Sequence, residues 1–105
     1  MTATLTVCPL RDLGRGAIRL VEWKNLEILV ANCDGSLHAM EDRCSHDDGP
    51  LHEGKLDPIA CTVECPRHGS IFDLCTGRPL CLPAFKPVAT FPVTAEDGVV
   101  RIAVD

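Results

Sequence analysis

A chain of 105 residues has room for one compact domain with a modest core, and a net charge of −5 leaves no basic stripe to neutralise nucleic-acid phosphates. No window reaches the roughly 20 apolar residues of a membrane span, and the opening MTATLTVCPL has neither a basic leader nor a cleavage site. A soluble, cytoplasmic, monomeric protein is expected, and in a reducing compartment seven cysteines point to metal rather than to a disulfide framework.

Residues 2–8 alternate, with Leu5 and Val7 on one side and Thr4 and Thr6 on the other, so a first strand is predicted there. Residues 17–23 and 26–32 are rich in Ile, Val, Leu and Trp, with Lys24-Asn25 as a tight turn between them. Asp34-Gly35 is a stronger hairpin signal and leads into a strand over 36–41. From about 43 to 84 Gly, Pro, Cys and His crowd together. Within that stretch residues 59–65 still alternate, with Ile59, Cys61 and Val63 on one face, and Thr76-Gly77-Arg78-Pro79 reads as a turn. Asp97-Gly98 then precedes a last strand over 99–104. No stretch carries a helical stripe, so the pattern predicts an antiparallel β framework from both chain ends with a loop-rich insertion.

The insertion holds Cys44-Ser45-His46 and Cys65-Pro66-Arg67-His68, a C-x-H and a C-x-x-H separated by eighteen residues. Such spacings let one thiolate and one imidazole converge from each loop, giving four ligands around a small volume. A tetrahedral zinc ion takes these atoms, and so does a two-iron cluster with thiolates on one iron and imidazoles on the other. Zinc spacings usually group Cys with Cys and His with His, often on a helix. Mixed loops off any helix suit the cluster better, while zinc stays open.

The stretches CSHDDGPLHEG, CPRHGSIFDLCTG and LPAFKPVATFPV, running from Asp42 to Val93, resemble the Rieske ferredoxin family. The resemblance implies an all-β fold over residues 1–105. Its antiparallel sandwich or barrel-like base would carry a small cluster-binding subdomain at about 43–84. It implies one [2Fe–2S] cluster per chain, with Cys44 and Cys65 on the inner iron and His46 and His68 on the outer. Gly49, Gly69, Ser70, Phe72 and Pro83 would support the cluster, with Pro50 and Leu51 excluding water from its sides. Members of high potential carry an extra cysteine in each loop, where this chain has Gly49 and Arg67. They also carry a Tyr hydroxyl where it has Phe72, although the serine donor is kept as Ser70. The resemblance thus implies a low-potential carrier. The gap between the two motifs is slightly long for the family, which suggests an extended turn near Asp57-Pro58.

The expected function is one-electron transfer from a flavin-dependent NAD(P)H reductase to a terminal non-haem iron oxygenase, with no catalytic residue in the chain itself. Alternatives are the small subunit of an assimilatory nitrite reductase, a redox helper in Fe–S assembly, or a Cys2His2 zinc module. Cys8, Cys33, Cys61, Cys75 and Cys81 lie outside the motif, and Cys61 reads as a buried apolar thiol. Cys75 and Cys81 flank a turn and could approach each other. His38 reads as packed mid-strand, His52 as a plain exposed side chain or else a rim residue that touches a partner, and Asp47 and Asp48 as solvated or partner-facing carboxylates.

Overall fold

The structure, a computed structural model, describes residues 3–45, 48–67 and 69–104. The strands are β1 (Ala3–Pro9), β2 (Ile18–Trp23), β3 (Leu26–Cys33), β4 (Ser36–Glu41), β5 (Lys55–Asp57), β6 (Thr62–Glu64), β7 (Ile71–Asp73), β8 (Thr90–Phe91), β9 (Val93–Glu96) and β10 (Val99–Val104). Among the described residues they form three antiparallel sheets, ordered β1-β10-β9, β2-β3-β4-β8 and β5-β6-β7. The helical segments described are single 3-10 turns at Leu10–Asp12 and Leu51–Glu53.

The hairpins follow from residues that tolerate positive φ. Lys24 and Asn25 (48° and 66°), Asp34 and Gly35 (54° and 97°), and Asp97 and Gly98 (53° and 74°) make two-residue turns whose twist matches the strands they join. In the β3 pairings Ile18 lies opposite Ala31, and Ala31 opposite His38.

Ile28 through Cys33 are buried on both faces of β3, and the faces serve different cores. Ile28 and Val30 join Cys8, Val100, Ile102 and Val104 between the first two sheets. Leu29, Ala31 and Cys33 face Cys44, Leu51, Val63, Cys65 and Phe72 of the loop-rich region. Each buried aliphatic or aromatic side chain here contributes about 1.5–3 kcal/mol.

Two stretches depart from simple alternation. Alternation would send Cys8 outward with Thr4 and Thr6. However, the β1–β10 register shifts between Thr6 and Cys8, and this bulge turns Cys8 into the core beside Leu5 and Val7. The strand expected over 59–65 begins only at Thr62, and Ile59 is 79% exposed rather than sharing a face with Cys61 and Val63. The side chain of Asp57 accepts the N–H groups of Ile59 and Ala60, and Cys61 sits at φ 57°, so a local turn replaces extension. This is the long turn that the Asp57-Pro58 spacing suggested.

Asn32 ties the base together. Its Nδ2 donates to the carbonyl of Leu13 (2.9 Å), and its Oδ1 accepts the N–H of Gly35 (2.8 Å). Asn32→Ala leaves both groups without a partner and should lower stability by about 1–3 kcal/mol in urea titrations, with the visible spectrum unchanged.

Candidate metal centre

The loops at 44–49 and 65–70 leave β4 and β6 and close with the same pair of hydrogen bonds. The N–H of Cys44 donates to the carbonyl of Gly49 (2.8 Å), and the N–H of Asp48 donates back to the carbonyl of Cys44 (2.8 Å). In the second loop Cys65 donates to Ser70 (2.7 Å) and Gly69 to Cys65 (3.1 Å). In both, the cysteine bonds to the residue five on and accepts from the residue four on. That fourth residue is left-handed each time, Asp48 at φ 62° and Gly69 at φ 76°. Glycine adopts this conformation without cost, and for Gly69 conformation rather than crowding is the reason, since an added Cβ would meet no atom within 4 Å.

Cys44 and Cys65 are fully buried and neither is in a disulfide. Their partners in the motif, His46 and His68, lie outside the described residues, as does Asp47. Ser70 is fully buried too. Its Oγ accepts the N–H of Ala84 (3.0 Å), which ties the second loop to the segment after Leu80. Among the described residues no acceptor is found for the Ser70 proton, so this buried hydroxyl can donate to a group held between the loops. Two buried thiols and a buried hydroxyl donor in adjacent loops fit an iron–sulfur group. Phe72 and Leu51 are fully buried beneath the loops, Gly49 is buried, and Pro83 is half-buried after the cis Leu82–Pro83 bond.

Two residues that hold the loops were not singled out from the sequence. Buried Asp42 accepts the backbone N–H of His52 (2.7 Å) and pairs with its Nδ1, so both ends of the first loop are clamped. His52, expected as an exposed side chain, is therefore a half-buried partner of Asp42. Gly54 packs so closely on β6 that an added Cβ would lie 1.6 Å from the carbonyl oxygen of Glu64, the residue before Cys65. Only the HEG run hinted at it. Asp48 is exposed, with Arg43 Nε 3.5 Å from its Oδ1.

The remaining cysteines are not arranged as expected. Cys61 is not a lone apolar thiol but is bonded to Cys33, with the Cα atoms 5.3 Å apart. Cys75 approaches His38 Nε2 (3.7 Å) rather than Cys81, whose Sγ lies 3.5 Å from the carbonyl of Gly69. Burial, and then the Asp73 carboxylate, push the Cys75 thiol pKa up.

Residues 3–92 match the Rieske [2Fe-2S] domain. Over 100 residues the chain is 44% identical to the 3-phenylpropionate/cinnamic acid dioxygenase ferredoxin subunit of Photorhabdus laumondii subsp. laumondii, covering 95% of this chain and 93% of that one. The chain belongs to the Rieske [2Fe–2S] family. A solved complex of reduced oxygenase and oxidized ferredoxin in carbazole 1,9a-dioxygenase contains a chain of the same fold. It has a TM-score of 0.89 and 36% identity, over 95% of this chain and 92% of that one. The ferredoxin of carbazole 1,9a-dioxygenase from Nocardioides aromaticivorans gives a TM-score of 0.92 at 27% identity, over 98% and 99%.

This Rieske protein is a ferredoxin-type electron carrier. It contains a [2Fe–2S]-binding region of the Rieske type. No helix among its described residues is long and apolar enough to cross a membrane. Beside its second loop, Leu80, Leu82 and Phe85 form an exposed apolar rim, with Leu82 77% and Phe85 72% exposed. Gly54→Ala should force the two Rieske loops apart and cut the iron retained after gel filtration to less than half of wild type, about 1 atom per chain or fewer. Elemental analysis checks this.

Proposed function

We propose that this Rieske ferredoxin holds one [2Fe–2S] cluster per chain, with Cys44 and Cys65 on one iron and His46 and His68 on the other. It would take electrons from a flavin-dependent NAD(P)H reductase and pass them to the terminal component of an aromatic-ring dioxygenase. The observation that carries the reading is the pair of buried cysteines, each opening a loop closed by the same hydrogen bonds. The relatives support the choice of partner: one is a ferredoxin subunit of a dioxygenase for aromatic acids, and another is described in complex with an oxygenase.

When bound, the cluster would supply a one-electron couple, its oxidised core of charge +2 balanced by two thiolates, with two neutral imidazoles adding none, so that the whole centre sums to zero. The chain's own residues do the rest. Leu51 and Phe72 keep water from beneath the loops, Ser70 offers a hydroxyl proton, and the Leu82–Phe85 rim gives an apolar face for a partner to cover.

Anaerobically purified protein should contain about two irons and two acid-labile sulfides per chain and give a rhombic, low-average-g signal after dithionite. Replacing any one of Cys44, His46, Cys65 or His68 by Ala should abolish the visible spectrum, and Cys61→Ser should keep it. The dithionite-reduced protein should support a turnover of the cognate dioxygenase, and the alanine variants should not. Loss of the cluster in Cys61→Ser with retention in His46→Ala would overturn the ligand assignment.

The potential tests the surroundings of the cluster. A donor to cluster sulfur strengthens its bond when an electron arrives, and only that difference counts. Each donor should therefore shift the potential by about 50–100 mV, the lower end of a conversion at about 59 mV per 1.4 kcal/mol. With Ser70 present and Phe72 offering no hydroxyl, voltammetry should find the wild type nearer about −150 mV than about +300 mV. Ser70→Ala should lower it and Phe72→Tyr should raise it.

A further inference from the structure

Away from the paired loops, three further side chains able to bind soft metals converge, and a fourth is bonded to one of them. Cys33 ends β3, His38 lies on β4, Cys61 closes the turn before β6, and Cys75 lies in the turn after β7. The N–H of Leu74 donates to the carbonyl of Cys61 (3.0 Å), which fixes the Cys75 turn against Cys61. His38 pairs with Ala31 in the β3–β4 register, so its side chain shares the face of β3 that also presents Cys33. Ligand atoms of His38, Cys61 and Cys75 all lie within 4.8 Å of one another, and Cys33 is bonded to Cys61.

We propose that Cys33, His38, Cys61 and Cys75 form a second metal site, a Cys3His tetrahedron that takes Zn2+ in the reduced chain and is closed by the Cys33–Cys61 disulfide in the oxidised one. Zinc–sulfur bonds of about 2.3 Å and zinc–nitrogen bonds of about 2.05 Å at tetrahedral angles set sulfur and nitrogen about 3.6 Å apart. Cys75 Sγ and His38 Nε2 are 3.7 Å apart. Ser36 Oγ lies 2.8 Å from the same nitrogen and has to release it, and an exposed hydroxyl readily exchanges that contact for water.

The redox step is an exchange with a dithiol. The Cys33–Cys61 S–S bond breaks, the dithiol is oxidised to its disulfide, and its two protons pass to the Cys33 and Cys61 sulfurs. Zinc then displaces the thiol protons of Cys33, Cys61 and Cys75, while His38 binds as neutral imidazole. Cys33 and Cys61 are nearly buried and Cys75 is exposed, so an ion has an entry path and a shielded seat. The occupied site would join the base strands β3 and β4 to both turns of the loop-bearing sheet, a firmer strap than the disulfide alone. None of this rests on the assignment of the cluster ligands.

The test uses the holoprotein, purified anaerobically with and without a phosphine reductant. The protein is equilibrated with a small excess of Zn2+, passed through gel filtration, and analysed for zinc and iron and by zinc-edge X-ray absorption. Reduced wild type should retain about one zinc per chain with its iron unchanged, and the absorption should fit about three sulfurs and one nitrogen. The unreduced protein should retain less than about a tenth of that. Cys75→Ser and His38→Ala should each lower zinc affinity at least about tenfold while keeping iron and visible spectrum. Reduced wild type without zinc, zinc gained only as iron is lost, or full affinity in both variants would each overturn the proposal.

Discussion

A strand buried on both faces must present two different apolar surfaces, and β3 does so with alternate residues. Ile28 and Val30 close the sandwich against β1 and β10, while Leu29, Ala31 and Cys33 form the floor on which the loop-bearing sheet sits. Since side chains alternate with period two, a one-residue slip of β3 would exchange the faces and unseat both cores together. The turns at Lys24-Asn25 and Asp34-Gly35 hold the register on either side, so the positions of Cys44 and Cys65 depend on residues far from them in sequence.

On that floor the two motif loops solve one problem in the same way. A short loop that carries a buried thiol must also satisfy its own backbone polar groups. Each loop does this with a reciprocal pair of bonds between its cysteine and the residues four and five positions on. The histidines fall at different offsets, two and three residues after the cysteine, yet the backbone frames match. Asp42 clamps the first frame at its ends, Gly54 lets it approach β6, and Ser70 ties the second to Ala84. A carrier benefits from such support, because a frame held from several sides changes little when the charge at its centre changes.

The apolar rim and the Cys33/His38/Cys61/Cys75 group occupy different parts of the loop-bearing region. Leu80, Leu82 and Phe85 stand exposed beside the second loop. The cysteine–histidine group instead spans the seam between that region and the strands beneath it. The proposed electron transfer concerns the first place, and the proposed strap between the layers concerns the second.

Much of this was legible from residues alone because the signals were local. Asp34-Gly35 and Asp97-Gly98 specify turns through their own φ preferences, and the alternation of Val100, Ile102 and Val104 shows its buried face within six residues. The paired C-x-H and C-x-x-H motifs and the stretches around them likewise carry the family resemblance, because each lies within one short run of residues. What stayed hidden depends on neighbours distant in sequence. The β1 bulge that turns Cys8 inward is defined by the partner strand, and the Asp57 side chain ended the apparent alternation at 59–61. Gly54 matters only because the Glu64 backbone lies against it. Cys33 and Cys61 stand twenty-eight positions apart, and nothing in either local segment says that they meet. Sequence by itself determined the hairpin turns, the faces of the regularly alternating strands and the spacing of the Cys/His motifs, which are properties of short stretches of backbone. Only the tertiary structure decided which cysteines face which, because that contact exists only once β3 has been covered on both sides.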